Sequence, residues 1–190
     1  MSTRSLLAAF AVLVVPSVAA AQPSPVNEPP PNPRLGFFGG GGLYAGEISC
    51  EGPNCSGVRK AGGGEGHVGW NFSPVMGIIG DLWWMESRED NVSITYINAS
   101  VGLRYWIAPI LYGQVGLGNG HASIRYDSVL GTFSDKTDNI PTVLLSLGLE
   151  LVRGPRWALD VNLRVAQGSS TDGDDTTGRM TGIGIAATFF

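Results

Sequence analysis

The chain has 190 residues, 28 of them glycine, and a formal net charge of −4. The negative charge gives no support for nucleic acid as a partner. The glycine content is high for a helical protein and fits strands whose backbones approach closely. Beyond the N-terminal region no stretch offers 18 consecutive apolar residues, so no transmembrane helix is predicted.

The N-terminal residues predict export. Arg4 supplies a positive charge, and Leu6–Val15 forms an apolar segment that is too short to span a membrane. Three small residues, Ala19 to Ala21, then give a cleavage pattern. We therefore expect residues 1–21 to be a signal peptide that is removed before Gln22. A short N-terminal membrane anchor is the alternative, and no cysteine follows the apolar segment to suggest a lipoprotein.

A proline-rich stretch separates this signal from the rest of the chain. Residues 22–34 contain six prolines, and so dense a run is incompatible with a helix or a β ladder. We expect an extended linker, whose simplest role is that of a spacer. The remainder, residues 35–190, has a length that suits one domain.

Eight segments with the period of a β-strand follow the linker. Their predicted bounds are Leu35–Ala45, Lys60–Phe72, Gly77–Glu86, Val92–Trp106, Ile110–Tyr126, Ile140–Val152, Trp157–Gln167 and Gly178–Phe190. Tight turns at residues 73–76, 107–109 and 153–156 alternate with longer loops at residues 46–59, 87–91, 127–139 and 168–177. This regular alternation indicates a series of hairpins.

The seventh segment shows the pattern most clearly. Alternate side chains of a strand point to opposite faces. One face is entirely apolar, whereas the other carries Asp160, Asn162 and Arg164. The apolar face consists of Trp157, Leu159, Val161, Leu163 and Val165. Opposite charges on the polar face suit a polar interior and an apolar exterior, which is typical of a transmembrane β-barrel.

The predicted fold class is therefore all-β: an eight-stranded, antiparallel, up-and-down transmembrane β-barrel. Short turns are periplasmic and longer loops external in such barrels, which places both termini and the linker on the periplasmic side. Aromatic residues favour the membrane interface. We expect a girdle at one rim formed by Trp70, Phe72, Tyr105, Trp106, Trp157, Phe189 and Phe190.

The two cysteines, Cys50 and Cys55, fall in the first loop. Their spacing does not match a four-ligand zinc site. Exported proteins meet an oxidising environment, so a disulfide between these two residues is predicted.

Several motifs resemble the small OmpA/OmpX-like outer-membrane β-barrel superfamily. They are the glycine-rich first strand, residues 69–74 (GWNFSP) leading to residues 77–81 (GIIGD), residues 112–118 (YGQVGLG), and the terminal phenylalanine. The resemblance covers about residues 35–190 and implies an architecture rather than an activity. The family's assembly signal places the terminal aromatic in phase with the outward residues. Here Phe189, rather than Phe190, shares that phase.

Charged residues on the inward phase form the most informative set in the sequence. It contains four carboxylates and two arginines: Glu65, Asp81, Glu150 and Asp160 against Arg104 and Arg164. An eight-stranded barrel has an interior just wide enough for side chains to fill, and buried charges must be paired. The favoured interpretation is a network of ion pairs that fills the barrel, with Asp81 and Arg104 as candidate partners. The alternative is a narrow pore that prefers cations because carboxylates are in excess.

Other functions find less support in the sequence. The only histidines, His67 and His121, show no triad around them, so we expect no catalytic residues and no enzyme activity. The acidic loop at Asp172, Asp174 and Asp175 does not match an EF-hand, so no metal or cofactor is expected. A soluble, lipocalin-like binding barrel would place its apolar face inside, opposite to the pattern described above.

The expected location is the outer membrane of a Gram-negative cell. The expected partners are outer-membrane lipid, the barrel assembly machinery and an extracellular partner bound through the loops. We expect a monomer with a structural or surface-interaction role.

Overall fold

The computed structural model describes residues 34–52, 55–89, 92–128, 131–136, 140–170 and 176–190. The predicted signal peptide and residues 22–33 of the predicted linker lie outside the described residues. No helix within the described ranges is long and apolar enough to cross a membrane.

All regular structure in the described residues is β-strand. The strands are β1 (Gly36–Gly52), β2 (Cys55–Ser73), β3 (Met76–Glu89), β4 (Val92–Ala108), β5 (Leu111–Ser128), β6 (Gly131–Lys136), β7 (Ile140–Arg153), β8 (Trp157–Ser170) and β9 (Thr176–Phe189). Alternating apolar and polar residues explain these extended segments, because each strand has one face toward the lumen and one away from it.

Eight of the strands close into a barrel. Each pairs antiparallel with its neighbour in the ring, and β1 joins the last strand, β9, from Gly39–Phe189 to Glu51–Thr177. β6 is the exception, since it pairs along the end of β5 only. Closure satisfies the backbone groups that would cost several kcal/mol each if left unpaired in lipid. The predicted eight-stranded antiparallel barrel is confirmed.

The two ends of the barrel differ. One end, here called the turn end, carries Arg34, Phe190 and three short connections. These connections join β2 to β3, β4 to β5, and β7 to β8. The opposite end, here called the loop end, carries the remaining connections. At the turn end the backbone N–H of Trp106 donates to Val75 O at 2.9 Å, and that of Glu150 donates to Ile110 O at 2.8 Å. These bonds tie neighbouring hairpins together.

The strands extend further toward the loop end than the sequence predicts. Residues 46–52 and 55–59, predicted as loop, continue the β1–β2 ladder. The predicted loop at residues 127–139 contains the end of β5 and all of β6. Both predictions were wrong because turn-forming residues do not by themselves end the pairing of two strands. Antiparallel partners can continue a ladder beyond the membrane through such residues.

The inward and outward phases of the strands agree with the sequence pattern. In β3, Ile78, Leu82 and Trp84 are exposed on the outer face, whereas Ile79 and Trp83 are fully buried in the lumen. The same alternation holds along β7 and β8. The apolar side chains therefore form a belt around the outside, as a lipid-facing surface requires.

Two members of the predicted aromatic girdle lie elsewhere. Trp106 is 3% exposed and points into the lumen, on the same phase as Arg104. Phe190 follows the end of β9, and its ring lies 6.4 Å from the ring of the luminal residue Phe38. Phe189 is exposed on the outer face as the last residue of β9. Phe189 is thus the last side chain on the outer face, and the side chain of Phe190 points toward the barrel opening.

A disulfide between Cys50 and Cys55 stays a prediction, with both residues in the β1–β2 hairpin. Cys50 lies opposite Gly57, and Cys55 opposite Gly52. We expect the Cys55→Ser variant to lose about 2 kcal/mol of unfolding free energy, because closing a short loop constrains the unfolded chain. Urea unfolding with and without reductant measures this loss. Equal stability of the two proteins under oxidising conditions would contradict it.

Candidate functional site in the barrel lumen

The lumen is filled by side chains in two zones. The zone toward the loop end is a cluster of buried apolar and aromatic side chains, here called the luminal plug. Its members are Tyr44, Ile48, Ala61, Trp83, Met85, Tyr96, Leu144, Ala166 and Met180. The zone toward the turn end is a network of charged and polar side chains, here called the luminal network. Its charged members are the six residues that the sequence pattern places inside, and each is at most 6% exposed. They are Glu65, Asp81, Arg104, Glu150, Asp160 and Arg164.

Arg164 of β8 is the centre of the luminal network. Its guanidinium donates a short hydrogen bond to the carboxylate of Asp81, and its Nη1 lies 3.4 Å from Glu65 Oε2. The guanidinium also lies over the rings of Tyr44 and Trp83, at 5.5 and 5.6 Å from their centroids. One cation therefore links two carboxylates to the base of the luminal plug.

Asp81 does not pair with Arg104, contrary to the sequence prediction. The guanidinium of Arg104 lies 4.5 Å from the ring centroid of Tyr112, and its Nη2 donates to Gln114 Oε1 at 3.4 Å. Stacking on aromatic faces stabilises a cation by attraction to the π-electrons. The stagger of the strands brings Asp81 to Arg164 instead, on the opposite side of the lumen.

Asp160 is held by neutral donors. The hydroxyl of Tyr112 donates to Asp160 Oδ1 at 2.9 Å, and Asn162 Nδ2 donates to the same atom at 2.7 Å. Asn162 Oδ1 in turn accepts a short hydrogen bond from the hydroxyl of Tyr44. Gly148 leaves room for the Tyr112 ring, because a Cβ at that position would overlap it.

Glu150 closes the turn end together with two further arginines. Arg34 Nη2 donates to Glu150 Oε2 at 2.9 Å, and Arg153 binds the same oxygen. Trp106 Nε1 donates to Glu150 Oε1 at 3.0 Å, and the Arg34 guanidinium lies 4.6 Å from the Trp106 ring centroid. Arg34 was predicted to be the last residue of the linker, but its side chain is part of this cluster.

These contacts change the charge count of the lumen. The sequence pattern gives four carboxylates against two arginines, and Arg34 and Arg153 add two cations at the turn end. Among the described residues, the luminal network together with Arg34 and Arg153 therefore contains as many arginines as carboxylates.

Comparison with known proteins identifies the architecture. The family model described as "Outer membrane protein beta-barrel domain" matches residues 7–189. The chain belongs to this family. A comparison with curated protein sequences finds no match.

Solved structures resemble this outer-membrane barrel. Ail, the attachment invasion locus protein of Yersinia pestis, is 18% identical with a TM-score of 0.54, and the match covers 80% of this chain and 99% of that one. Neisserial surface protein A is 10% identical with a TM-score of 0.57, covering 80% and 96% of the two chains. At these identities the likeness shows the fold alone.

One group in the lumen has the order of a catalytic triad. His67 Nδ1 lies 3.1 Å from both carboxylate oxygens of Glu65, and His67 Nε2 lies 3.1 Å from the hydroxyl oxygen of Thr188. A hydrolase also needs a place for its substrate beside the nucleophile. Thr188 is 2% exposed and His67 4%, so these contacts act as internal hydrogen bonds of the outer-membrane barrel.

The remaining candidate residues are His121 and the acidic residues of the last predicted loop. His121 belongs to β5, opposite Ile97 of β4, on the outward phase. Among the described residues there is no group of three or more side chains that could hold a metal ion. The acidic residues Asp172, Asp174 and Asp175 lie outside the described residues.

Proposed function

We propose that this protein is an integral outer-membrane barrel with a structural or surface-interaction role and a lumen closed to ions. The filled lumen is the observation that carries the proposal. The luminal plug contains Trp83, Met85, Leu144 and Met180, each fully buried, and the luminal network fills the other zone. Such an interior stabilises the barrel and leaves recognition to its ends.

The proposed orientation has the turn end in the periplasm and the loop end outside the cell. The outer face of the barrel supports it, because its apolar belt gives way to charged residues toward the loop end. Glu47 in β1, Lys60 in β2 and Arg88 in β3 occupy the outward phase there. Arg88 Nε donates to Glu86 Oε1 at 2.7 Å, and this bond raises the pKa of Arg88 above its ordinary value. The strands thus continue past the belt as a polar scaffold for an extracellular partner.

The same proposal includes the route to the membrane. Residues 1–21 are removed as a signal peptide, and the barrel assembly machinery recognises the end of β9, where Phe189 faces outward. The barrel is a monomer, and no catalysis is part of its role.

The narrow cation-preferring pore has less support than the closed barrel. It rested on an excess of carboxylates, and the arginines at the turn end balance that excess. A lipocalin-like barrel would need an apolar lumen open to a ligand, whereas most of the large apolar side chains of β7 and β8 face outward, and Leu144, which faces inward, is packed in the luminal plug.

Two measurements test the proposed function. Cell fractionation, followed by gel electrophoresis with and without boiling, should show a heat-sensitive band in the outer-membrane fraction. Refolded protein in planar bilayers should then give no conductance steps, with a general porin as the positive control. Stepwise, cation-selective currents would contradict the closed barrel and support the narrow pore. A soluble periplasmic protein without a heat shift would overturn the membrane location.

A further inference from the structure

A shallow depression lies on the outer face of β5, β7 and β8. Its lining is almost entirely apolar and consists of Gly113, Val115, Leu145, Leu147, Leu163 and Val165, with the intervening residues Gln114 and Ser146. Gly113, Leu147 and Leu163 form one row across the three strands, and Val115, Leu145 and Val165 form the next. The depression therefore lies within the apolar belt of the barrel.

Gly113 creates the hollow. A Cβ built at this position would have Ile107 Cδ1 as its nearest neighbour, at 3.7 Å, and Ser146 O at 3.9 Å. These are ordinary contact distances, so packing of the barrel itself does not exclude a side chain here. The missing side chain leaves space between Val115 and the leucines of β7, which a slender apolar group can occupy.

An apolar track connects the depression to a positive turn. The next row toward the turn end pairs Leu149 with Val161, and the β7–β8 connection beyond it carries Arg156. Arg156 is exposed, and no described carboxylate lies within ion-pair distance of it. From Leu147 to Arg153 the strand rises about 20 Å, or about 15 Å along the membrane normal after strand tilt. This length matches half of the hydrocarbon core.

We propose that this surface is a binding site for an anionic phospholipid of the periplasmic leaflet. One acyl chain follows β7 and β8 and ends in the depression, and the phosphate of the head group binds the Arg156 guanidinium. The occupant follows from the position of the site, since acyl chains surround the apolar belt of a membrane barrel, and from the positive charge at its end. Arginine recognises phosphate through two parallel N–H donors. This inference rests on the proposed membrane orientation.

Photo-crosslinking locates the lipid. The probe is phosphatidylglycerol with a diazirine near the end of one acyl chain, added to refolded protein in nanodiscs of phosphatidylcholine. Peptide mapping should place most adducts on residues of β5, β7 and β8 that line the depression. Adducts spread evenly around the belt would overturn the site. A phosphatidylcholine probe with the same diazirine should give at least threefold fewer adducts there, and equal labelling would overturn the head-group preference.

Two variants test the two halves of the site. Gly113→Leu fills the depression and should reduce labelling there several-fold. Gly80 is an outward glycine of β3 with equally open surroundings, so Gly80→Leu is the control and should leave the labelling unchanged. Arg156→Gln should remove the preference for the anionic probe, whereas Arg179→Gln at the loop end should keep it. Unchanged labelling in Gly113→Leu, or an unchanged preference in Arg156→Gln, would refute the proposal. The heat-dependent gel shift of each variant shows separately that the barrel has folded.

Discussion

Arg164→Met is expected to lower the free energy of unfolding by about 3–5 kcal/mol, because it removes one partner of a buried ion pair. The side chains of Asp81 and Glu65 are 1% and 2% exposed, so neither carboxylate can turn to water when the guanidinium is lost. Methionine retains much of the side-chain volume, which separates the loss of charge from the loss of packing. Urea unfolding of the refolded protein in lipid vesicles, followed by tryptophan fluorescence, measures the change.

Two further variants separate this effect from the loss of any arginine. Arg179 of β9 is exposed on the outward phase and donates to Gln167 Oε1 at 3.2 Å. Arg179→Met should change the stability by no more than about 0.5 kcal/mol. The triple variant Arg164→Met, Glu65→Gln and Asp81→Asn leaves no buried charge at this site and should recover part of the loss. If Arg164→Met and Arg179→Met are equally stable, the buried ion pairs of Arg164 do not contribute the expected free energy of unfolding.

Which residues face the lumen could be predicted from the sequence, because the period of two fixes a face for every position of a strand. Asp81, Glu150 and Asp160 were placed inside on this basis alone. The same phase also places Trp83 and Met85 inside, since they follow Asp81 at steps of two residues. It places Trp106 inside as well, two residues after Arg104. The predicted aromatic girdle includes Trp106 wrongly, because the phase of the strand, rather than the residue type, determines which face a side chain occupies.

Contact partners across the lumen could not be predicted in the same way. Asp81 and Arg164 are 83 residues apart on strands that are not neighbours, so the stagger of the whole barrel determines their pairing. Arg34 lies before β1 among prolines, where no periodic pattern assigns a face. Its contact with Glu150 over 116 residues depends on how the closed barrel brings its two ends together.

Trp83→Ala is expected to cost about 3–5 kcal/mol of unfolding free energy, as large truncations in a packed core do. Trp83 is fully buried in the luminal plug, and its ring lies 5.7 Å from that of Tyr44 and 5.6 Å from the Arg164 guanidinium. The truncation leaves a cavity that neighbouring strands cannot close, because the barrel wall is fixed by its ladders. Tyr44, Leu144 and Met180 remain in place, so the variant should still give no conductance steps.

The adjacent residue provides the matched control, because it carries the same side chain on the opposite face of β3. Trp84 is 42% exposed on the outer face. Acyl chains are as apolar as the side chains they would replace, so lipid fills the space left by Trp84→Ala and the expected cost is about 1 kcal/mol. Urea unfolding in the same vesicles compares the two variants directly. A larger loss in Trp84→Ala than in Trp83→Ala would mean that the outer face, rather than the lumen, carries the packed core, and the assignment of inside and outside would be reversed.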